Sequence, residues 1–192
     1  MSASITNILL AGVGGQGILL ASEILAEACM QAGFDVKKSE IHGMSQRGGS
    51  VISHVRYGKE VYSPVVPEGE GDILFGFELL ETYRYLNLLR PGARVIANDF
   101  RIQPPSVLLG QDRYPDDLPA KIAVRFSNFT LIDGLKIAAK IGNPRVANTV
   151  LLGAVSRHLQ IEPVVWEKAI SKMVPKKALE INLHAFQAGR SL

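Results

Sequence analysis

The chain is poor in cysteine, in long apolar runs and in net charge. One cysteine, Cys29, stands among 192 residues. It can form no intrachain disulfide and cannot supply a four-thiolate iron–sulfur site. Set in the apolar stretch 18–32, it reads as a small buried hydrophobe, and a reduced, cytoplasmic compartment fits. No run approaches the ~20 apolar residues of a membrane helix. The nearest, 18–30, is interrupted by Glu23 and Glu27, so no membrane association is expected. No basic segment precedes the first apolar run, so a signal peptide is not expected either. Basic and acidic side chains nearly balance, 21 against 18. Nucleic-acid binders gather Lys and Arg on one face. The nearest grouping, Lys168, Lys172, Lys176 and Lys177, has helical spacing and reads as a solvated face, so no nucleic-acid partner is expected.

What is present is ordinary globular composition, 47% apolar and 20% charged. This excludes a disordered, collagen-like or disulfide-framed chain. The length suits one domain, 1–192, able to form a core without disulfides or metals.

Residues 5–11 are short and apolar, as a buried strand is. A glycine-rich loop follows, Gly12-Val13-Gly14-Gly15-Gln16-Gly17. Residues 18–32 are rich in Ala, Leu and Glu and predict a helix, which Gly33 stops. A second strand over 34–41 completes a βαβ unit. After the loop His42–Gly49, alternation at Val51, Ser53, Val55 and Tyr57, a turn at Gly58-Lys59 and a return over 60–63 predict a hairpin. A proline- and glycine-bearing loop spans 64–71. Strands are expected at 72–77 and 93–97, with a helix over 78–90 between them. Irregular chain runs over 103–119, followed by short strands at 121–126 and 129–132. Asp133 is placed to cap a helix over 134–141, and helices follow over 145–159, 163–173 and 176–187. The alternation predicts an α/β, Rossmann-like three-layer fold. It has a mostly parallel sheet, an inserted β-hairpin and a helical C-terminal part that packs on the sheet or meets a partner.

Gly12, Gly14 and Gly17 fit G-x-G-x-x-G between a strand and a helix, the context that pattern requires. Such a loop lets backbone approach a phosphate, and the helix N-terminus offers unpaired N–H groups. Three readings stay open. One is an NAD or FAD site, with Glu40, 23 residues after Gly17, at the end of the second strand. Another is a different phosphate-bearing ligand, coenzyme A or a nucleotide. In the third the glycines serve packing only. A second cluster, Ser45-Gln46-Arg47-Gly48-Gly49, follows the second strand. Strand ends in a parallel sheet share one edge, so the two loops are expected to be neighbours. Arg47 offers a fork for a phosphate or carboxylate and His42 a further donor. Against this, Arg47 can anchor its loop or pair with an acid on this chain, and His42 can have a structural or merely exposed role. His42, His54, His158 and His184 have no nucleophile beside them in sequence, and no catalytic residue is assigned.

Together the first loop and the stretch Glu40-Ile41-His42-Gly43-Met44-Ser45-Gln46-Arg47-Gly48-Gly49-Ser50-Val51 resemble the gamma-domain family of 2-oxoacid:ferredoxin oxidoreductases. The second motif is most similar to that of the aryl-pyruvate (indolepyruvate) members. Asn148-Thr149-Val150-Leu151-Leu152-Gly153-Ala154 is similar to the family as well, and the resemblance covers nearly the whole chain. It implies a small accessory subunit of an enzyme that oxidatively decarboxylates a 2-oxoacid to an acyl-CoA and reduces ferredoxin. In that family thiamine diphosphate supplies the carbanion and iron–sulfur clusters carry the electrons. This chain has no Gly-Asp-Gly signature for thiamine diphosphate and magnesium, and no Cys-x-x-Cys. The resemblance therefore implies a large partner subunit holding those cofactors, contact with ferredoxin through the complex, and an isolated chain without activity. It lowers the NAD reading. Exposed partner-facing surface is compatible with a homodimer of the isolated chain. For Gly12, Gly14, Gly15, Gln16, Gly17, Ser45, Gln46, Arg47, Gly48 and Gly49 two roles remain: contact with coenzyme A or another anion, and shaping of the subunit. Arg47 is the candidate for contact with the partner or an anion. Asn148 is the candidate for a buried hydrogen bond holding its helix.

Overall fold

The computed structural model describes residues 5–43 and 48–192. Its first strand, β1 (Thr6–Val13), is buried along nearly its whole length, because it has strands on both edges and helices on both faces. Helix α1 (Ile18–Gln31) leads to β2 (Asp35–His42), which turns back into β3 (Ser50–Gly58). Then come β4 (Gly71–Gly76), α2 (Leu79–Arg84), β5 (Leu89–Asn98), α3 (Pro105–Leu108), α4 (Leu118–Arg125) and β6 (Phe129–Ile132). Helices α5 (Gly134–Ile141), α6 (Ala147–Ser156), α7 (Pro163–Met173) and α8 (Leu179–Arg190) complete the chain. Among the described residues no helix is long and apolar enough to cross a membrane.

The strand order is β2-β3-β1-β4-β5-β6. The pairs β1–β4, β4–β5 and β5–β6 are parallel. Strand β3 is antiparallel to both β1 and β2, so it alone runs against the other strands. The sheet is mostly parallel, as expected, yet the predicted βαβ unit is split. β2 runs parallel to β1, but β3 lies between them.

The hairpin also differs from expectation. β3 pairs with β2 before it, and residues 60–63 form no strand. They belong to a strap held across the sheet by side chains. The Arg56 guanidinium donates to the carbonyls of Ser63 and Val65 at 3.0 and 3.1 Å. His54 Nδ1 accepts from the Val66 N–H at 3.0 Å, and the Asp35 carboxylate from the Val61 N–H at 2.8 Å. The strap thus satisfies its backbone without a ladder. The expected strand at 121–126 is part of α4. Leu118, Ile122 and Phe126 are buried four residues apart while Val124 is 90% exposed. An alternating reading groups Ile122, Val124 and Phe126, and burial shows that the period of four holds. The expected helix over 78–90 is short: after α2 and a 3₁₀ turn at Leu86–Leu88, Leu89 and Arg90 already belong to β5.

The larger core packs α1, α6, α7 and α8 on one face of the sheet around Leu25, Phe75, Trp166 and Phe186. The other face is covered by α2 and α4. Lys172 of α7 closes an ion pair at 2.7 Å with Glu27 of α1, whose side chain is 9% exposed. Helices α6 and α8 cross with backbones in contact: a Cβ on Gly153 lies 2.2 Å from the Phe186 carbonyl oxygen, and one on Gly189 lies 1.9 Å from that of Val150. Only glycine allows that approach. Gly189→Ala is expected to force the helices apart and cost about 1–3 kcal/mol, read by urea denaturation; an unchanged midpoint argues against the close crossing.

Candidate functional site

The parallel strands end on one edge, where β1 hands over to α1 on one face and β4 to α2 on the other. This is the switch point at which ligands of open α/β sheets bind. The two glycine clusters do meet there. The Gly14 N–H donates to the Gly49 carbonyl at 2.8 Å, and the Gly48 N–H to the Gly14 carbonyl at 3.4 Å. Ser45, Gln46 and Arg47 lie outside the described residues.

Gln16 occupies the mouth between β1 and β4. Its Oε1 accepts from the Val13 N–H at 2.7 Å and its Nε2 donates to the Phe77 carbonyl at 3.1 Å. A Cβ on Gly12 lies 2.7 Å from that Oε1 and 2.8 Å from Phe77. Gly12 is therefore small to admit Gln16 and Phe77, a packing role. Gly17 caps α1 at φ 79° without a side-chain bond, and a Cβ there lies 2.7 Å from Asn148 Nδ2. Asn148 donates to the Gln16 carbonyl, tying α6 to the loop, as expected of it. Gly15 differs, since nothing lies within 4 Å of its Cβ position. It faces a cleft of about 420 Å³ lined by Gly17, Leu20, Phe100, Arg145 and Asn148 among others.

Glu40, the candidate ribose acceptor, is not available at this mouth. It accepts from Ser22 and Lys38, each at 3.2 Å, and His42 Nε2 lies 3.5 Å away. Strand β3 also displaces it from β1 by one further strand spacing, about 4.8 Å. The dinucleotide reading is accordingly disfavoured. His42 is half exposed on that side. Cys29 is fully buried, and burial pushes its thiol up to about 12, so it serves as packing.

A buried acidic cluster beside the loops escaped the sequence reading. Glu78, 1% exposed, accepts from the N–H groups of Glu81 and Ile102 at 2.8 and 3.1 Å and from the Tyr114 hydroxyl at 2.5 Å. It caps α2 and latches the excursion 99–117 to the sheet edge. Burial and then Glu78 push the Tyr114 hydroxyl well up. Ser50, the first residue of β3, lies 2.5 Å from Glu81 Oε2 and 2.9 Å from the Tyr85 hydroxyl. The only signal available was an acid three residues before Glu81 at a helix start.

Burial raises the Glu81 carboxyl above its ordinary value; Ser50 and Arg84 oppose the rise, and Glu78 adds to it. The folded chain then holds this proton more tightly than the unfolded chain. The group favours folding most below the ordinary carboxylate range, and that contribution is lost as pH rises through the folded value. Glu81→Gln keeps an acceptor for Ser50. It is expected to remove this slope from urea stabilities measured from the ordinary carboxylate range upward; an unaltered profile assigns the slope elsewhere.

Residues 7–192 match the model of the family described as pyruvate ferredoxin/flavodoxin oxidoreductase. The chain is 40% identical over 190 residues to indolepyruvate oxidoreductase subunit IorB of Thermococcus kodakarensis, covering 95% of this chain and 93% of that one. Identity to the IorB of Archaeoglobus fulgidus is 39%, over 95% of this chain and 92% of that one. The structure is similar, at TM-score 0.70 and 27% identity, to the keto/oxoacid ferredoxin oxidoreductase gamma subunit of Geobacter sulfurreducens, covering 97% of this chain and 96% of that one. A separate subunit of the same length and fold, with both glycine loops at one sheet edge, accounts for these matches: the chain belongs to the pyruvate ferredoxin/flavodoxin oxidoreductase family.

Proposed function

We propose that the chain is the small subunit of an indolepyruvate-type 2-oxoacid:ferredoxin oxidoreductase in the cytoplasm. With a large partner subunit it converts an aryl pyruvate and coenzyme A into an acyl-CoA and carbon dioxide, and the electrons pass to ferredoxin. The observation that carries this reading is the identity of 40% to an IorB subunit along 95% of the chain. Thiamine diphosphate and iron–sulfur clusters supply the carbanion and electron chemistry of such enzymes. The donor set here does not suit a cluster, since the one thiol, Cys29, is sealed in the core. Among the described residues no group of three or more His, Cys, Asp or Glu is gathered for a metal. The proposal puts those cofactors on the large partner subunit.

The glycine-loop edge contributes a binding surface for coenzyme A in the complex. Three features support this: the open space at Gly15, the α1 N-terminus without a side-chain cap, and Arg145 in the same cleft. Backbone N–H groups and a guanidinium suit a phosphate, and Leu20 and Phe100 suit the less polar parts of the molecule. Gln16 and Asn148 keep the loop in shape, and Arg47 is the further candidate for the anion or the partner.

Co-expression with the large subunit should yield a complex that reduces ferredoxin with indolepyruvate, and omission of this chain should abolish that activity. Equal activity without the chain, or saturable NAD binding by the chain alone that Glu40→Ala weakens, contradicts the proposal. In the complex, Arg145→Ala should raise KM for coenzyme A about tenfold, the loss of one charge-assisted hydrogen bond, with assembly intact. An unchanged KM leaves the loop a shaping role only.

A further inference from the structure

The opposite edge of the sheet carries two clefts that meet at Thr6 and His158. One, of about 580 Å³, is walled by Phe34 and Tyr57, whose rings meet edge to face at 5.0 Å, and also includes Lys59 and Gln160. The other, of about 450 Å³, includes Asp72, Arg90, Arg94 and Asn128. Both volumes suit a small organic ligand. None of these residues belongs to the glycine-loop edge, and the inference does not depend on the function proposed above.

The charges in the second cleft do not balance. Asp72 is its one carboxylate, and it is already engaged. Its Oδ1 accepts from Arg90 Nε at 2.6 Å, and its Oδ2 from the Asn7 N–H at 2.7 Å. Arg90 and Asp72 thus neutralise each other. Arg94 is half-buried on the β5 face that also carries Ile96, and among the described residues it makes no ion pair and no hydrogen bond. Residues 1–4, Met-Ser-Ala-Ser, carry no carboxylate to offer it. A partly desolvated guanidinium with five donors and no acceptor is a costly arrangement that an anion relieves. Beside it, burial and then Arg94 and Arg157 push the His158 pKa down. The neutral ring keeps one donor and one acceptor. Lys59 is exposed and solvated, and contributes only diffuse attraction.

We propose that this trough binds a monoanionic ligand with a planar ring, its carboxylate on Arg94 and His158 and its ring against Phe34 and Tyr57. A single uncompensated arginine matches one negative charge. A phosphate dianion brings a second negative charge that the already neutralised Asp72–Arg90 pair leaves unmatched. The edge-to-face pair offers the apolar wall that a flat ring fills.

The test uses the full ¹⁵N-labelled chain titrated with phenylacetate, acetate and inorganic phosphate. Phenylacetate should give saturable shifts at Thr6, Gly58 and His158, and the other two should bind at least about tenfold more weakly. Arg94→Met should weaken phenylacetate by a similar factor with an unchanged melting temperature, because Arg94 has no ion-pair or hydrogen-bond partner among the described residues. His158→Gln, at an exposed position, should give a second, smaller loss. The bound carboxylate offsets Arg94 and Arg157, with Lys59, Arg90 and Asp72 as the other nearby charges, so the His158 pKa should rise on binding. No saturable shift with phenylacetate, or equal affinity in Arg94→Met, overturns the proposal. Acetate binding as well as phenylacetate removes the ring from it, and phosphate binding as well removes the monoanion.

Discussion

The double pairing of β1 is the constraint on which the rest of the molecule depends. On one side β1 carries the antiparallel β3, residue for residue from Thr6↔Tyr57 to Val13↔Ser50. On the other it carries the parallel β4, from Ile8↔Ile73 to Ala11↔Gly76. A strand paired on both edges and covered on both faces is fixed by two ladders and two packed layers at once, so a slip breaks both ladders and misfits the side chains of both cores. The β3 ladder runs on beyond Val13 into the backbone pairing of Gly14 with Gly48 and Gly49. The two glycine loops are therefore joined by main chain, before any side chain acts. The β4 register brings Phe77 beside the end of β1, which gives Gln16 a carbonyl to reach.

This arrangement explains why the dinucleotide reading of the first glycine loop is disfavoured. In the fold that pattern usually marks, the mouth between the switch-point strands stays open for a pyrophosphate, and an acid on the adjacent strand meets a ribose. Here Gln16 fills the mouth, and β3 moves Glu40 one strand away, where Lys38, Ser22 and His42 surround it. The open surface shifts outward to Gly15 and the cleft with Arg145. The same edge holds two buried carboxylates. Glu78 has three donors around it, so its burial is compensated. Glu81 keeps an ion-pair partner, Arg84, at 3.7 Å, and shares Ser50 with Tyr85. These contacts fasten the start of β3 and the 99–117 excursion to the sheet. Their disposition suits a rigid surface presented to a larger protein.

The family, the alternation of strands and helices and the closeness of the two glycine loops were all legible in the residues. So were the Asp133 cap, which accepts from the Lys136 N–H at 2.9 Å, and a hydrogen bond from Asn148 that holds its helix, though not its acceptor, the Gln16 carbonyl. The failures share a cause. Residues 121–126 fit a period of two as well as one of four over so short a span, and only the packing of Leu118, Ile122 and Phe126 decides between them. Residues 60–63 look like a return strand because the alternation before them is real; its partner turned out to be β2, earlier in the chain. Glu78 gives no local sign of its burial. Two of its three donors, Ile102 and Tyr114, stand 24 and 36 residues away.

By itself the sequence determined where most of the chain can be strand or helix, where the two glycine clusters fall, and which family the motifs resemble. Those are local properties: side-chain volume, backbone freedom and periodicity act within a few residues. Only the tertiary structure decided that β3 stands between β2 and β1, that Gln16 closes the mouth, that Glu40 is displaced, and that Arg94 has no partner among the described residues. Each of these is set by strand order, and strand order follows from how whole faces bury against one another across tens of residues, which no local pattern records.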